Sequence, residues 1–150
     1  MIIGVDFDGT CVTHEFPNVG KEIGAAEILK ALTDRGHQII LFTIRSYQKE
    51  GAADSNTLGY ADPEKIELPL DTLDDAINWF KIHDIPLYGV NENPNQKSWS
   101  QSPKPYCHVY IDDSAVGCPL KYDFLSDRPY VDWEKVDDLL FAKGFYHETN

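Results

Sequence analysis

The stretch M-I-I-G-V-D-F-D-G-T (residues 1–10) begins as an apolar strand and ends with two carboxylates one residue apart. Its Asp-Gly pair is a common hairpin signal, so this stretch alone favours a simple turn. A functional interpretation of Asp6 and Asp8 therefore depends on which residues the rest of the chain brings to the same place.

Three later runs have the same near-continuous apolar character as the first. They are Q-I-I-L-F-T (38–43), L-Y-G-V-N (87–91) and H-V-Y-I-D-D (108–113). Strands that are covered on both faces show this pattern, because no residue of such a strand faces water. The four runs therefore predict a buried parallel sheet.

Amphipathic helical spacing is found in three segments: 22–35, 72–83 and 132–143. Gly36 is a typical residue after a helix C-terminus, and Asp132 is a typical N-cap. Thr72 and Asp75 have the spacing of a capping box. Strands that alternate with helices predict an α/β fold, a Rossmann-like three-layer sandwich with a central parallel sheet, as a single domain over residues 1–150.

Charge and composition exclude several classes of partner. The net charge is −12 and no basic cluster interrupts it, so nucleic-acid backbones and anionic membranes are poor partners. No run reaches the roughly 18 apolar residues of a membrane span. The three cysteines form no CxxC pair and the first residues lack a signal-peptide pattern, so we expect a cytoplasmic protein.

Polar residues follow the predicted strands at the points where these strands end. Asp6 follows the first strand, Thr43 closes the second, and Asp112 and Asp113 close the last. The carboxyl ends of parallel strands meet at one edge of the sheet, where α/β proteins bind their ligands. We therefore expect these side chains to converge.

Four motifs, in chain order, resemble those of the haloacid dehalogenase (HAD) superfamily of aspartate-nucleophile phosphatases. The first, DxDGT, is matched by residues 6–10, and the second, a Thr closing an apolar strand, by Thr43. The third, a lysine ahead of the last core strand, is matched by Lys104, and the fourth, an acidic pair, by Asp112 and Asp113. Together the motifs extend over most of the chain.

The resemblance implies a Mg²⁺-dependent phosphatase that hydrolyses a phosphate monoester through an aspartyl-phosphate. By this match Asp6 is the nucleophile, and Asp8 protonates the leaving alcohol and then deprotonates the attacking water. Thr43 hydrogen-bonds the phosphoryl group, and Lys104 neutralises charge on the nucleophile and on the transferred group.

The metal ligands implied by the resemblance are acidic. Asp6 and Asp112 supply carboxylate oxygens, Asp8 supplies its backbone carbonyl, and Asp113 binds directly or through water. Such an oxygen-rich set favours a hard ion such as Mg²⁺.

Further residues are candidates for binding the substrate. Gly9, followed by Thr10, allows a tight exit from the strand and brings backbone N–H groups towards the phosphate. Arg45 either binds a second anionic group or forms a surface salt bridge. Lys97 competes with Lys104 for the role of the phosphate-stabilising lysine.

The spacing between the motifs leaves no room for a full cap domain. Thr43 comes only 37 positions after Asp6, and a flap hairpin over 11–21 and one helix use that length. The segment 46–69 is a candidate small lid. A capless site is consistent with a bulky substrate, or with a second copy of the chain as its cover.

Three other functions stay open. A signalling receiver domain has similar residues, but its acidic pair ends the first strand, whereas here the pair comes last. A phosphotransferase that uses an acceptor other than water is compatible with the same motifs, and so is a silent HAD-fold protein that binds phosphate or metal. The substrate class, a small-molecule or macromolecular phosphate ester, is not determined by the sequence.

Overall fold

The computed structural model describes residues 1–47 and 71–147. A parallel four-stranded sheet runs through this part of the chain, in the order β3-β2-β1-β4. The strands are β1 (Ile2–Val5), β2 (Gln38–Leu41), β3 (Leu87–Val90) and β4 (Val109–Ile111). The predicted α/β fold with a central parallel sheet is confirmed, and its arrangement is consistent with a Rossmann-like sandwich.

The three predicted helices are also present in the described ranges. They are α1 (Ala25–Asp34), α2 (Thr72–Ile82) and α3 (Trp133–Ala142). Helix α1 starts three residues later than predicted because Gly24, in the left-handed conformation with φ 90°, is its N-cap. Between β3 and β4 the chain forms one short 3₁₀ turn, Gln96–Ser98.

The structure confirms one predicted helix cap and corrects another. The side chain of Asp132 accepts a hydrogen bond from the Lys135 N–H, as expected of an N-cap. The capping box at Thr72 is wrong, because the N-cap of α2 is Asp71 and makes no side-chain cap bond. The Thr72 hydroxyl donates instead to the carbonyl of Ser46, 3.1 Å away.

A two-stranded antiparallel ribbon lies outside the main sheet and was not predicted. It pairs β5 (Leu120–Lys121) with β6 (Tyr130–Val131). Two residues per strand are too few to produce a recognisable alternation in sequence. The ribbon supports the site, because the Val131 N–H donates to the Gly9 carbonyl over 2.9 Å.

The buried core joins the sheet to all three helices. Val5 of β1, Leu29 of α1, Phe80 of α2 and Leu140 of α3 are among its members. Each fully buried side chain of this kind contributes about 1.5–3 kcal/mol. Leu139 of α3 is 48% exposed and is not among the core residues.

Two segments, 11–21 and 46–69, were predicted to cover the site as a flap hairpin and a small lid. The segment 11–21 is closed at its base by a single antiparallel bridge between Val12 and Glu22. The proposed lid at 46–69 lies outside the described residues except for Ser46 and Tyr47. Over residues 1–47 and 71–147, no helix is long and apolar enough to cross a membrane.

Candidate active site

The register of the sheet brings the predicted residues to one edge. Val5 of β1 is paired with Leu41 of β2 on one side and with Ile111 of β4 on the other. Asp6, Thr43 and Asp112 come one or two residues after these three positions. The strand order reverses between β1 and β4, which is where open α/β sheets form their ligand crevice.

Three carboxylates meet at this reversal. Asp6, Asp112 and Asp113 each offer an oxygen that lies within 4.8 Å of the other two. Burial, followed by the charges of Asp112 and Asp113, raises the pKa of Asp6 to about 7, against the opposing effect of a hydrogen bond from the Phe7 N–H. Burial is also the main reason why the pKa of Asp113 is raised.

This cluster has the chemistry of a site for a hard cation. In the described part of the chain, no Lys or Arg nitrogen lies within 4.0 Å of its three carboxylates. Half-buried carboxylates at such short range repel one another unless a positive charge or protons lie between them. Three converging oxygens are the ligands that a small divalent cation prefers.

Thr10 connects two of the three carboxylates. Its hydroxyl donates to Asp6 Oδ2 over 3.0 Å and accepts from the Asp113 N–H, also over 3.0 Å. The indole N–H of Trp133 fixes the Thr10 carbonyl over 2.6 Å. The Thr10 hydroxyl thus orients two carboxylates of the cluster. The Thr10 N–H, which was predicted to approach the phosphate, donates instead to the Phe7 carbonyl over 3.1 Å.

Position 9 requires glycine, because any side chain there would be strained by the backbone conformation and would overlap a neighbouring carboxylate. Its φ is +78°, and a Cβ there would overlap the Asp113 carboxylate, with Cγ only 2.9 Å away. The Gly9 N–H donates to the Val12 carbonyl over 2.8 Å. The predicted tight exit from the strand is present. The Gly9 N–H, however, is used inside the turn and is not free to donate to a phosphate.

Asp8 and Arg45 form a buried ion pair. Arg45 Nε and Nη2 each donate to one oxygen of the Asp8 carboxylate, both over 2.7 Å. Arg45 is 1% exposed, so it is neither the substrate ligand nor the surface salt bridge that we predicted. The Asp8 carboxylate is not part of the acidic cluster. The metal contact predicted for its backbone carbonyl stays a prediction.

Thr43 is held at the edge of the sheet by two backbone-to-side-chain bonds. Its N–H donates to Asn91 Oδ1 over 2.8 Å, and its hydroxyl oxygen accepts from the Arg45 N–H over 3.1 Å. Asn91 adopts a positive φ of 54° directly after β3. Asn91 thus holds the Thr43 backbone and the Arg45 N–H binds the Thr43 hydroxyl oxygen. The hydroxyl proton has no acceptor among the described residues, so it is available to a phosphate ligand.

Neither candidate lysine contacts the acidic cluster. Lys104 is exposed, and its ammonium lies 5.2 Å from the centre of the Tyr110 ring. Gln96 binds the Lys104 carbonyl and the Tyr106 N–H, which fixes the backbone around Lys104. Lys97 lines a cavity of about 290 Å³ beside Asn91. The expected pairing of Lys104 with the nucleophile is therefore not seen.

Two contributions to the site were missed from the sequence. Trp133 begins α3 and reaches Thr10, 123 positions earlier. Asn91 directly follows β3, and its side-chain oxygen accepts a hydrogen bond from the Thr43 N–H. No local pattern marks either contact, because each depends on how distant elements pack.

The fold and the site define an α/β protein with an acidic cluster at the strand-order reversal of a parallel sheet. One solved structure, "Structure of the conserved protein coded by locus from Bacteroides thetaiotaomicron", is similar over 99% of this chain and 98% of that chain. It has a TM-score of 0.66 and 26% sequence identity. No protein-family model and no curated protein matches the chain.

Proposed function

We propose that this chain is a HAD-like, magnesium-dependent phosphatase that hydrolyses phosphate monoesters through an aspartyl-phosphate on Asp6. The observation that carries the proposal is the meeting of Asp6 with Asp112 and Asp113 at the reversal of strand order. A nucleophile and the ligands of a divalent cation are thereby gathered from the first and last strands of the sheet. The motif order, with the pair last, favours this function over a receiver domain.

The acidic cluster would hold Mg²⁺ through the carboxylates of Asp6, Asp112 and Asp113, with the Asp8 carbonyl as a further ligand. When bound, the ion supplies positive charge that offsets the repulsion among the carboxylates and the charge of the phosphoryl group. Thr10 keeps two of the carboxylates in place through its hydroxyl.

In the first half-reaction an Asp6 oxygen attacks phosphorus. The new O–P bond forms as the bond from phosphorus to the leaving oxygen breaks, and the bonding electron pair departs with that oxygen. Asp8 gives a proton to the leaving oxygen, and the Thr43 hydroxyl donates to a phosphoryl oxygen. Splitting a slow hydrolysis into two steps lowers each barrier.

In the second half-reaction a water oxygen attacks the same phosphorus. Asp8 takes a proton from that water, the bond between phosphorus and Asp6 breaks, and inorganic phosphate leaves. Asp6 returns to a carboxylate, so the cycle closes with one water consumed per ester.

The test is phosphate release from 4-nitrophenyl phosphate, measured with Mg²⁺ and with excess chelator. Turnover is expected only with Mg²⁺, and Asp6→Asn is expected to reduce it at least about 1,000-fold, as is typical when a nucleophile is removed. Asp8→Asn is expected to lose turnover as well.

The matched control is Asp75→Asn, which removes an exposed helix carboxylate from α2 and is expected to retain full turnover. Metal-independent turnover would overturn the proposal. Phosphate release from none of a broad panel of esters would favour the silent binding protein, a function with which the absence of a lysine at the cluster within residues 1–47 and 71–147 also agrees. Transfer to an added alcohol that outpaces hydrolysis would favour the phosphotransferase.

A further inference from the structure

Arg45 has no hydrogen-bonding capacity left for a ligand. Its Nη1 donates to the carbonyls of Pro17 and Thr72, over 3.2 and 3.1 Å. Its Nη2 donates to the Asn18 carbonyl over 2.9 Å as well as to Asp8, and its Nε donates to Asp8. A guanidinium has five N–H donors, and here all five are used.

Two aromatic rings pack against the same guanidinium. Its carbon lies 5.0 Å from the centre of the Phe7 ring and 5.2 Å from that of Phe16. Cation–π contacts of this kind favour one orientation of the guanidinium plane. A buried bidentate pair with this many supports keeps its partner carboxylate in one rotamer, which a flexible lysine would not do as well.

Asp8 retains capacity for a further partner in this arrangement. A carboxylate offers about four lone-pair sites, and the bidentate pair with Arg45 takes two of them. Asp8 itself is 8% exposed, so the remaining acceptor sites have limited access to water. The side chain is therefore oriented by Arg45, and the two acceptor sites that Arg45 does not use are where Asp8 would carry the proton that it donates.

We propose that Arg45 is the positioning residue for Asp8, holding its carboxyl group in the orientation needed to pass a proton to the leaving group. This inference rests on the proposed phosphatase function. The same guanidinium ties Asp8 to the 11–21 segment through Asn18 and to the start of α2 through Thr72. Arg45 does not touch the reacting atoms, and its contribution is made through Asp8.

The consequence depends on the substrate's leaving group. An alkoxide is a strong base and needs a proton as it departs, whereas 2,4-dinitrophenolate is a weak base and departs without one. A displaced Asp8 should therefore impair the alkyl ester much more than the dinitrophenyl ester. A purely structural loss would reduce both rates by the same factor.

The experiment compares kcat/KM of Arg45→Lys with that of the wild type on 2,4-dinitrophenyl phosphate and on an alkyl phosphate, both with Mg²⁺. This quantity reports the formation of the aspartyl-phosphate and leaves out its hydrolysis, in which Asp8 acts on both esters alike. A misplacement of about 1 Å costs on the order of 100-fold, and we expect a loss of about that size for the alkyl ester. The dinitrophenyl ester should lose less than about threefold, since its leaving group does not use the acid.

Two further variants keep the test decisive. Arg35→Lys is the matched control, because Arg35 also lies over an aromatic ring, Tyr146, at 5.2 Å, and is expected to leave the ratio of the two rates unchanged. Phe16→Leu removes one supporting ring that is 40% exposed, so it tests the same contact if Arg45→Lys does not fold. We expect it to lower the alkyl rate selectively by a smaller factor.

The outcomes separate this inference from the function on which it rests. Equal losses on both esters in Arg45→Lys, or in Phe16→Leu if only that variant folds, overturn the positioning role while leaving the phosphatase proposal intact. If the wild type hydrolyses neither ester with Mg²⁺, the phosphatase proposal itself fails, and the positioning role fails with it.

Discussion

Lowering the pH from 8 to 6 should weaken Mg²⁺ binding by about tenfold. The pKa of Asp6 is raised to about 7 by burial and by Asp112 and Asp113, so Asp6 is mostly ionised at pH 8 and mostly protonated at pH 6. A proton on Asp6 competes with the cation, and for one such group the apparent dissociation constant rises about tenfold over this range. The raised pKa of Asp113 acts in the same direction.

The assay is calorimetric titration with MgCl₂ at fixed ionic strength, because salt screens partly exposed charges. Asp6→Asn should bind Mg²⁺ weakly at both pH values, whereas Asp75→Asn should behave like the wild type. An affinity that changes less than twofold between pH 6 and 8, or that is tighter at pH 6, would refute the reasoning.

The raised pKa of Asp6 also makes the stability of the metal-free protein depend on pH, which thermal denaturation can measure. The fold favours protonated Asp6, whose pKa lies above the ordinary value of 3.8. The metal-free protein should therefore lose stability as the pH rises from about 4 through about 7, where the unfolded chain gives up this proton first. Saturating Mg²⁺ should restore the lost stability at pH 8, where it has no proton to displace.

Three substitutions test other parts of the account. Gly9→Ala forces a side chain into a left-handed conformation, at about 1–2 kcal/mol, and against a carboxylate of the cluster, so it should lower both the free energy of unfolding and the Mg²⁺ affinity. Asp132→Ala should lower the free energy of unfolding by about 1 kcal/mol through loss of the α3 cap, with Mg²⁺ affinity unchanged. Because neither lysine contacts the acidic cluster, Lys104→Ala and Lys97→Ala should both keep turnover close to that of the wild type. A loss of about 100-fold in Lys104→Ala, as for removal of a charge-stabilising donor, would contradict this expectation and support the predicted assignment of Lys104.

The sequence was sufficient to predict the parallel sheet and the convergence of the acidic residues. Continuous apolar runs identify the buried strands, and the pairing of Val5 with Ile111 follows once these strands are parallel neighbours. Asp6 and Asp112, each one residue beyond these positions, then have to meet. This part of the site is determined by strand ends, which a local pattern can locate.

The surroundings of the cluster depend on contacts that no local pattern encodes. Arg45 and Asp8 are 37 positions apart, and whether an arginine is exposed or buried depends on what packs over it. Thr72 has capping-box spacing, yet the carbonyl of Ser46 lies within reach of its hydroxyl and takes the bond. The lysine assignment rested on order along the chain, and Gln96 fixes the loop so that Lys104 lies beside Tyr110.

The covalent intermediate is the most direct measure of the central claim. The protein is mixed with Mg²⁺ and 2,4-dinitrophenyl phosphate, quenched in acid within one turnover, digested, and analysed by mass spectrometry. The account predicts a phosphoryl group on the peptide that contains Asp6, located at that carboxylate and missing in Asp6→Asn. Turnover that leaves this carboxylate unmodified at every quench time, or a phosphoryl group found on another residue, would contradict it.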